Sequence, residues 1–356
     1  MRRSERQQGF ILVVVLVALV VLSLLAGAVA VSSARAVREA RAEVDAFDAE
    51  LAGIGTRDTL LYLLATQRQT VGGMTVDDQV VLVAGQATAF PPEDGDGPLS
   101  TLPVGNEVKL DSTPYAGLGP VRFALQDDAG LFSINWLTSF RPQLFEFLEV
   151  PVGEWDSMEA RRLDYQDADA LHRLGGAEAP QYREAGLSPP SNRTIVTPLE
   201  LRNIPGWRKA LAPFDDAEVM RLFTAARSVV INANTATESS LQVIPGVDEA
   251  TAQRIIALRR QQPFMLEHRL VQEFQLPIDE MAPIGLLAVG YGTLALWHNA
   301  GGPVSLLHWT LTPIDEGGRP WRLDYEITLP RDEVADPNLV RPAPSPLLAQ
   351  PPATGE

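Results

Sequence analysis

From Phe10 to Val31 the chain carries 22 residues without a charge, interrupted in apolar character only by Ser23 and Gly27. At about 1.5 Å rise per residue a helix of that length covers about 33 Å, enough to cross a hydrocarbon core of about 30 Å. Beyond Val31 the pattern narrows to a stripe. Val37, Ala40, Val44, Phe47, Leu51 and Ile54 recur at spacings of three and four, with Arg38, Glu39, Arg41, Glu43, Asp45 and Glu50 between them. Leu60 to Leu64 broaden the stripe, and no proline interrupts before Pro91. The pattern predicts one long helix, apolar all round in its first half and amphipathic in its second. Asp58 breaks the heptad too early for an extended coiled coil, so the stripe is expected to pack within the chain.

The periodicity then changes to two. Gln79 to Ala84, Glu107 to Leu110 and Val121 to Gln126 read as strands, with a loop from Pro91 to Pro103 centred on Asp94-Gly95-Asp96-Gly97. At Asp127-Asp128-Ala129-Gly130 an acidic turn follows, where a positive φ is expected at Gly130. The chain is then helical for a long stretch. Strand patterns return at Leu286 to Val289, Thr293 to Trp297, Val304 to Leu311 and Trp321 to Leu329, separated by Asn299-Ala300-Gly301-Gly302 and Glu316-Gly317-Gly318, as hairpins require. After Pro330 proline and alanine dominate, a composition that predicts disorder.

Within the helical stretch Thr197-Pro198-Leu199-Glu200-Leu201-Arg202-Asn203-Ile204-Pro205-Gly206 is echoed by Thr237-Glu238-Ser239-Ser240-Leu241-Gln242-Val243-Ile244-Pro245-Gly246. Each copy predicts a capped helix of about two turns stopped by Ile-Pro-Gly. The second continues through Val247-Asp248-Glu249 into another helix, and so resembles a helix-hairpin-helix motif. In DNA-binding versions of that motif the hairpin presents backbone amides and a further glycine to a phosphate. Here Asp248 stands where the glycine is expected and Glu249 follows it, and two carboxylates repel phosphate.

Charge and composition narrow the function. The chain has 356 residues, a formal net charge of −16 and no cysteine. Its length supports a sizeable core, its charge disfavours nucleic acid, and disulfides, thiolate metal sites and cysteine nucleophiles are excluded. His172, His268, His298 and His308 lie far apart, and no HExxH, GxxxxGK[ST] or GxSxG occurs. No feature points to an enzyme, and no cofactor is required. Calcium is a possible ligand at the closely spaced carboxylates of Asp94 to Asp96, or at Asp164, Asp167 and Asp169, where the alternative is a solvated or helix-capping face.

The leader carries Arg2, Arg3 and Arg6 against a single Glu5, which leaves the N-terminus cytoplasmic and sends the rest across the membrane. Three readings compete: a secretory signal cut after Ala28-Val29-Ala30, a plain anchor, and a third carried by the abrupt join between Gly9 and Phe10. That join resembles the leader of type IV pilins and type II secretion pseudopilins, which a prepilin peptidase cuts after the glycine. Most members carry glutamate at the fifth mature residue; here it is Val14. The K-type minor pseudopilins of the general secretion pathway commonly lack that glutamate. Further stretches resemble the same family: Asp127 to Asn135, Asp164-Tyr165-Gln166-Asp167-Ala168-Asp169, Gly176-Ala177-Glu178, Tyr182, Asn192-Arg193 and the repeated Ile-Pro-Gly.

The resemblance implies an α+β fold: a pilin-like N-terminal helix packed on an antiparallel sheet, with a large all-α domain inserted between strands. The expected divisions are a leader at 1–9, a membrane-spanning half-helix at 10–31 and a periplasmic half at 32–70. A β head at 71–126 and 284–330 is interrupted by the insert at 127–283, and 331–356 form the tail. By resemblance the mature chain begins at a methylated Phe10 and sits at the tip of the periplasmic pseudopilus. It would help start pseudopilus assembly and the export of folded proteins across the outer membrane. Its partners would be the I-type and J-type minor pseudopilins, other pseudopilins, the inner-membrane secretion platform and the prepilin peptidase. The alternative is a membrane-anchored periplasmic protein whose helix-hairpin-helix binds nucleic acid.

Overall fold

The computed structural model describes residues 8–79, 101–136, 138–278, 282–299, 301–313 and 318–330. Residues 1–7 of the leader, the expected strand beyond Gln79, the Asp94 to Gly97 loop, Glu316-Gly317 and the tail 331–356 lie outside them. The chain divides into two units, Met1–Ala52 and Gly53–Glu356.

The first unit is the start of helix α1 (Gln8–Thr66), whose apolar run is long enough to cross a membrane. Its side chains from Ile11 to Val31 are exposed, as a lipid-facing surface requires, and an Arg35–Glu39 pair one turn apart follows at 2.7 Å. The apolar stripe at Val37, Val44, Phe47 and Leu51 is exposed as well.

In the second unit α1 becomes a core element. Leu60, Leu61, Leu63 and Leu64 are almost fully buried, and Thr56 Oγ1 accepts a hydrogen bond from the Leu118 N–H at 3.0 Å. The helix stops at Thr66. Strand β1 (Gln67–Thr70) pairs with β2 (Gly73–Gln79), so the chain turns into a hairpin a few residues before the expected end of the helix. Strands β3 (Asp111–Ala116) and β4 (Val121–Asp127) follow. The expected strand at Glu107 to Leu110 reduces to one bridge between Met74 and Val108.

Beyond the sheet come β5 (Phe132–Ser133), α2 (Arg141–Phe147), α3 (Trp155–Gln166), α4 (Ala179–Glu184), α5 (Trp207–Ala210) and α6 (Asp216–Leu222). Then follow β6 (Phe223–Thr224), β7 (Ile231–Asn232), α7 (Glu238–Leu241), α8 (Glu249–Gln261), α9 (Glu267–Phe274) and β8 (Ile284–Gly285). The chain closes with β9 (Tyr291–His298), β10 (Val304–Leu311) and β11 (Trp321–Leu329). The principal sheet has the order β11-β10-β9-β4-β3, and every neighbouring pair is antiparallel. Thus β4 and β9 are hydrogen-bonded neighbours although the whole helical region lies between them in sequence. This is the expected α+β architecture with a helical insertion.

Strand alternation gives the sheet two faces. Phe123, Leu125, Leu294 and Trp309 point to one side and join Leu60, Leu61, Leu63, Leu64, Met74 and Val76 in a core. The insert has its own core, built around Trp207, which lies 5.7 Å from Phe145 and 6.2 Å from Phe223 between ring centroids. Its indole N–H donates to the Met158 carbonyl at 2.9 Å, so the large ring is both packed and polar-satisfied. The insert is not purely helical: β5 pairs with β6 and β7 with β8, both parallel and two residues long.

Candidate functional site at the joint between sheet and insert

The acidic turn that ends β4 is where the insert is fastened. Asp127 is fully buried. Its carboxylate accepts hydrogen bonds from Asn232 Nδ2 at 2.9 Å, Thr235 Oγ1 at 2.7 Å, the Ala129 N–H at 3.2 Å and the Val289 N–H at 3.0 Å. One side chain therefore grips the chain as it enters the insert, at its middle and as it returns to the sheet. Burial pushes the Asp127 carboxyl up to about 6, and the four hydrogen bonds pull the other way. Gly130 is needed here, though for a different reason from the one its turn suggests. It has no positive φ; instead, a Cβ would meet the Thr235 carbonyl oxygen at 2.5 Å. The absence of a side chain lets two backbones touch.

Asp128 turns to the other side. Its Oδ2 accepts from Thr224 Oγ1 at 2.5 Å and contacts His308 Nε2 at 2.8 Å, while His308 Nδ1 lies 2.8 Å from Asp324 Oδ2. Burial alone would depress the imidazole, but the charges and hydrogen bonds of Asp128 and Asp324 outweigh it and hold its pKa at about 9. Burial likewise opposes the charge on Asp324. Hydrogen bonds from His308, Thr310 and Arg322 prevail and hold that carboxyl well below the usual range. With both ring nitrogens facing carboxylates, the imidazole is held as imidazolium. It is a buried cation between two anions, a structural ion group in place of a general base.

A further buried charge closes the joint. Arg259 on α8 donates to the carbonyls of Ala233 at 2.9 Å and Ala236 at 2.7 Å, with Asp111 of β3 at 3.7 Å. Burial pulls its pKa down to about 10. Sequence reasoning named the acidic turn and missed its partners. The available signal was the polar alternation Asn232, Asn234, Thr235 within an otherwise apolar stretch.

The candidate metal carboxylates lie elsewhere. Asp164 is fully buried and accepts from the backbone N–H of Arg173 at 3.1 Å and of Ala177 at 3.0 Å. The Arg173 guanidinium bridges Asp164 and Asp167, and those hydrogen bonds push its pKa up. Asp169 caps the Leu171 N–H at 2.8 Å. Asp164 is thus a buried ion-pair partner instead of part of a solvated face. Among the described residues no set of three such ligands is placed to hold a metal. Gly9 and Phe10 fall in the first turn of α1.

The two Ile-Pro-Gly copies fold differently. Pro198–Asn203 is a 3₁₀ helix, opened by a capping box between Thr197 and Glu200, whereas Glu238–Leu241 is a single α turn capped by Thr237. The first keeps the two turns expected, wound as 3₁₀ instead of α, and the second is shorter, about one turn. Both glycines have positive φ, 89° at Gly206 and 81° at Gly246, which explains the residue type. Asp248 caps α8 by accepting from the Thr251 N–H at 2.8 Å, and these bonds lower its pKa. An exposed carboxylate already occupies the helix N-terminus that a phosphate would approach.

A helix-hairpin-helix motif matches residues 226–268. Among solved structures the chain is similar to the GspK-GspI-GspJ complex from the enterotoxigenic Escherichia coli type 2 secretion system. The TM-score is 0.40 at 17% identity, covering 61% of this chain and 83% of that chain. No curated protein matches.

Proposed function

We propose that the chain is a K-type minor pseudopilin: a non-enzymatic subunit, anchored by its N-terminal helix and carried at the tip of a periplasmic pseudopilus. The observation that carries this reading is the placement of the helical insert between the hydrogen-bonded neighbours β4 and β9, behind a helix whose last turns lie in the sheet's core. The Gly9–Phe10 join and Val14 support it from the sequence side. A subunit with valine at the fifth mature residue lacks the carboxylate that another subunit's N-terminal amine would pair with. A bulky insert leaves little room for a subunit above it. Both properties suit the first position in a filament, with I-type and J-type minor pseudopilins as neighbours and the secretion platform as the assembly site. Gly9→Ala is expected to leave the leader attached in cells that carry the prepilin peptidase. Normal cleavage of that variant, read by gel mobility, contradicts the proposal.

The helix-hairpin-helix match favours a second reading, nucleic-acid binding, which Asp248 and Glu249 at the hairpin oppose. Salt-sensitive DNA binding by the full chain would favour it. Calcium is proposed only as a competitor of Arg173 for Asp164 and Asp167, whose Oδ1 is buried without a hydrogen-bond partner. Equilibrium dialysis of the purified chain with calcium tests this: saturable binding that Asp164→Asn removes supports it, and no binding ends it.

A further inference from the structure

Within the insert, α2 meets α3 through a charged group that the apolar core does not account for. Arg162 of α3 is almost fully buried and holds Glu159, one turn earlier on the same helix, in a fork: its Nε lies 3.0 Å from Glu159 Oε2 and its Nη2 2.6 Å from Oε1. Arg141, the first residue of α2, donates to the same Oε1 through its Nη1. Two guanidinium groups therefore share one carboxylate. The Arg141 side chain is only 15% exposed, and among the described residues neither arginine forms an ion pair with a second carboxylate. Burial lowers the Arg141 pKa, Glu159 opposes that, and the neighbouring Arg162 charge adds to it. A guanidinium does not discharge under such pressure, so the surplus positive charge stays.

Unanswered donors accompany that charge. Asn135, just past β5, accepts at its Oδ1 from Arg162 Nη1 at 2.6 Å and from Gln166 Nε2 at 2.9 Å. Two donors on one atom fix which way the amide faces, so Nδ2 is turned from both. That Nδ2 is buried and, among the described residues, meets no acceptor; the same is true of the buried Arg141 Nη2. Arg162 joins the two side chains, touching Asn135 directly and Arg141 through the shared Glu159 oxygen.

We propose that this group binds a small monovalent anion of the halide class, chloride at ordinary salt, with Arg141 Nη2 and Asn135 Nδ2 as its donors. A water molecule accepts such hydrogen bonds and leaves the surplus charge in place, whereas an anion answers the donors and the charge together. Burial sets the size. Neither donor atom touches solvent, so an acceptor carried on a protein side chain or a phosphorylated ligand does not reach them in this packing. The bound ion ties the end of β5 to α2 and α3, and its binding adds to the stability of the insert. None of this depends on the role proposed for the chain in a filament.

Urea unfolding of the detergent-solubilised full chain, with sodium chloride exchanged for sodium gluconate at constant ionic strength, tests the site. The unfolding midpoint is expected to rise by about 0.5 M urea when chloride reaches about ten times its dissociation constant. Broadening of the ³⁵Cl resonance by the folded chain reads the binding directly. Two variants separate the site from general salt effects. Arg141→Gln removes the surplus charge, and Asn135→Asp supplies a carboxylate in place of the amide donor; each should fold, lose the chloride dependence and lose the broadening. A midpoint of the unsubstituted chain that ignores chloride overturns the proposal. So does a chloride dependence of equal size in the unsubstituted chain and in either variant.

Discussion

On one face of the five-stranded sheet Phe123, Leu125, Leu294 and Trp309 meet Leu60, Leu61 and Leu64 of α1 in a dry core. On the other, the strands present Ala124, Gln126, Thr293, Ala295 and His308, and the insert attaches at the sheet's end through Asp127, Asp128 and Arg259. Apolar burial is strong and carries no direction, so the first face holds the helix firmly while leaving its orientation to shape alone. Buried hydrogen-bonded charges add little net stability, yet each demands its own partner, so the second face specifies where a large insertion stands.

Three substitutions sharpen that contrast, in order of expected effect. Asp127→Ala strands four donors at the joint and is expected to cost about 4 kcal/mol in urea unfolding, with the sheet and the insert melting apart. A single transition at unchanged midpoint would show that Asp127 is not what couples them. Leu64→Ala, on the dry face, should cost about 3 kcal/mol, independent of pH.

His308→Gln should cost about 2 kcal/mol near neutrality and remove a pH dependence. The folded pKa of about 9 lies above the ordinary 6.5, so the stabilisation is complete below 6.5 and is lost as pH rises through 9. Urea midpoints of the unsubstituted chain should therefore fall from pH 6.5 to 9, and those of the variant should fall less. An identical fall in both removes His308 as its cause.

The long helix and the last three strands were legible because one strong period runs through each: an uninterrupted apolar run at Phe10 to Val31, and alternation at β9, β10 and β11. The insertion itself was legible only through resemblance, since no local pattern says that β4 and β9 are neighbours. Glu107 to Leu110 has strand-like residues, but only Val108 finds a bridge partner, and propensity without pairing does not make a strand. The His308 group was hidden for a related reason. Asp128 and Asp324 reach the imidazole through the sheet, where β10 pairs with β9 and β11, and no spacing along the chain shows it. Gly130 illustrates a subtler miss. The turn chemistry identified the residue correctly, and the close approach of Thr235 supplied the reason.

On the proposed function, Gly9 and Phe10 mark the point at which a membrane-anchored precursor becomes a filament subunit. Intact-mass and N-terminal peptide mass spectrometry of the chain, purified from membranes of cells with an active prepilin peptidase, tests it directly. The predicted result is a mature protein that begins at Phe10 and carries one added methyl group on its α-amine. A protein that begins at Met1, or one cut after Ala30, contradicts the account.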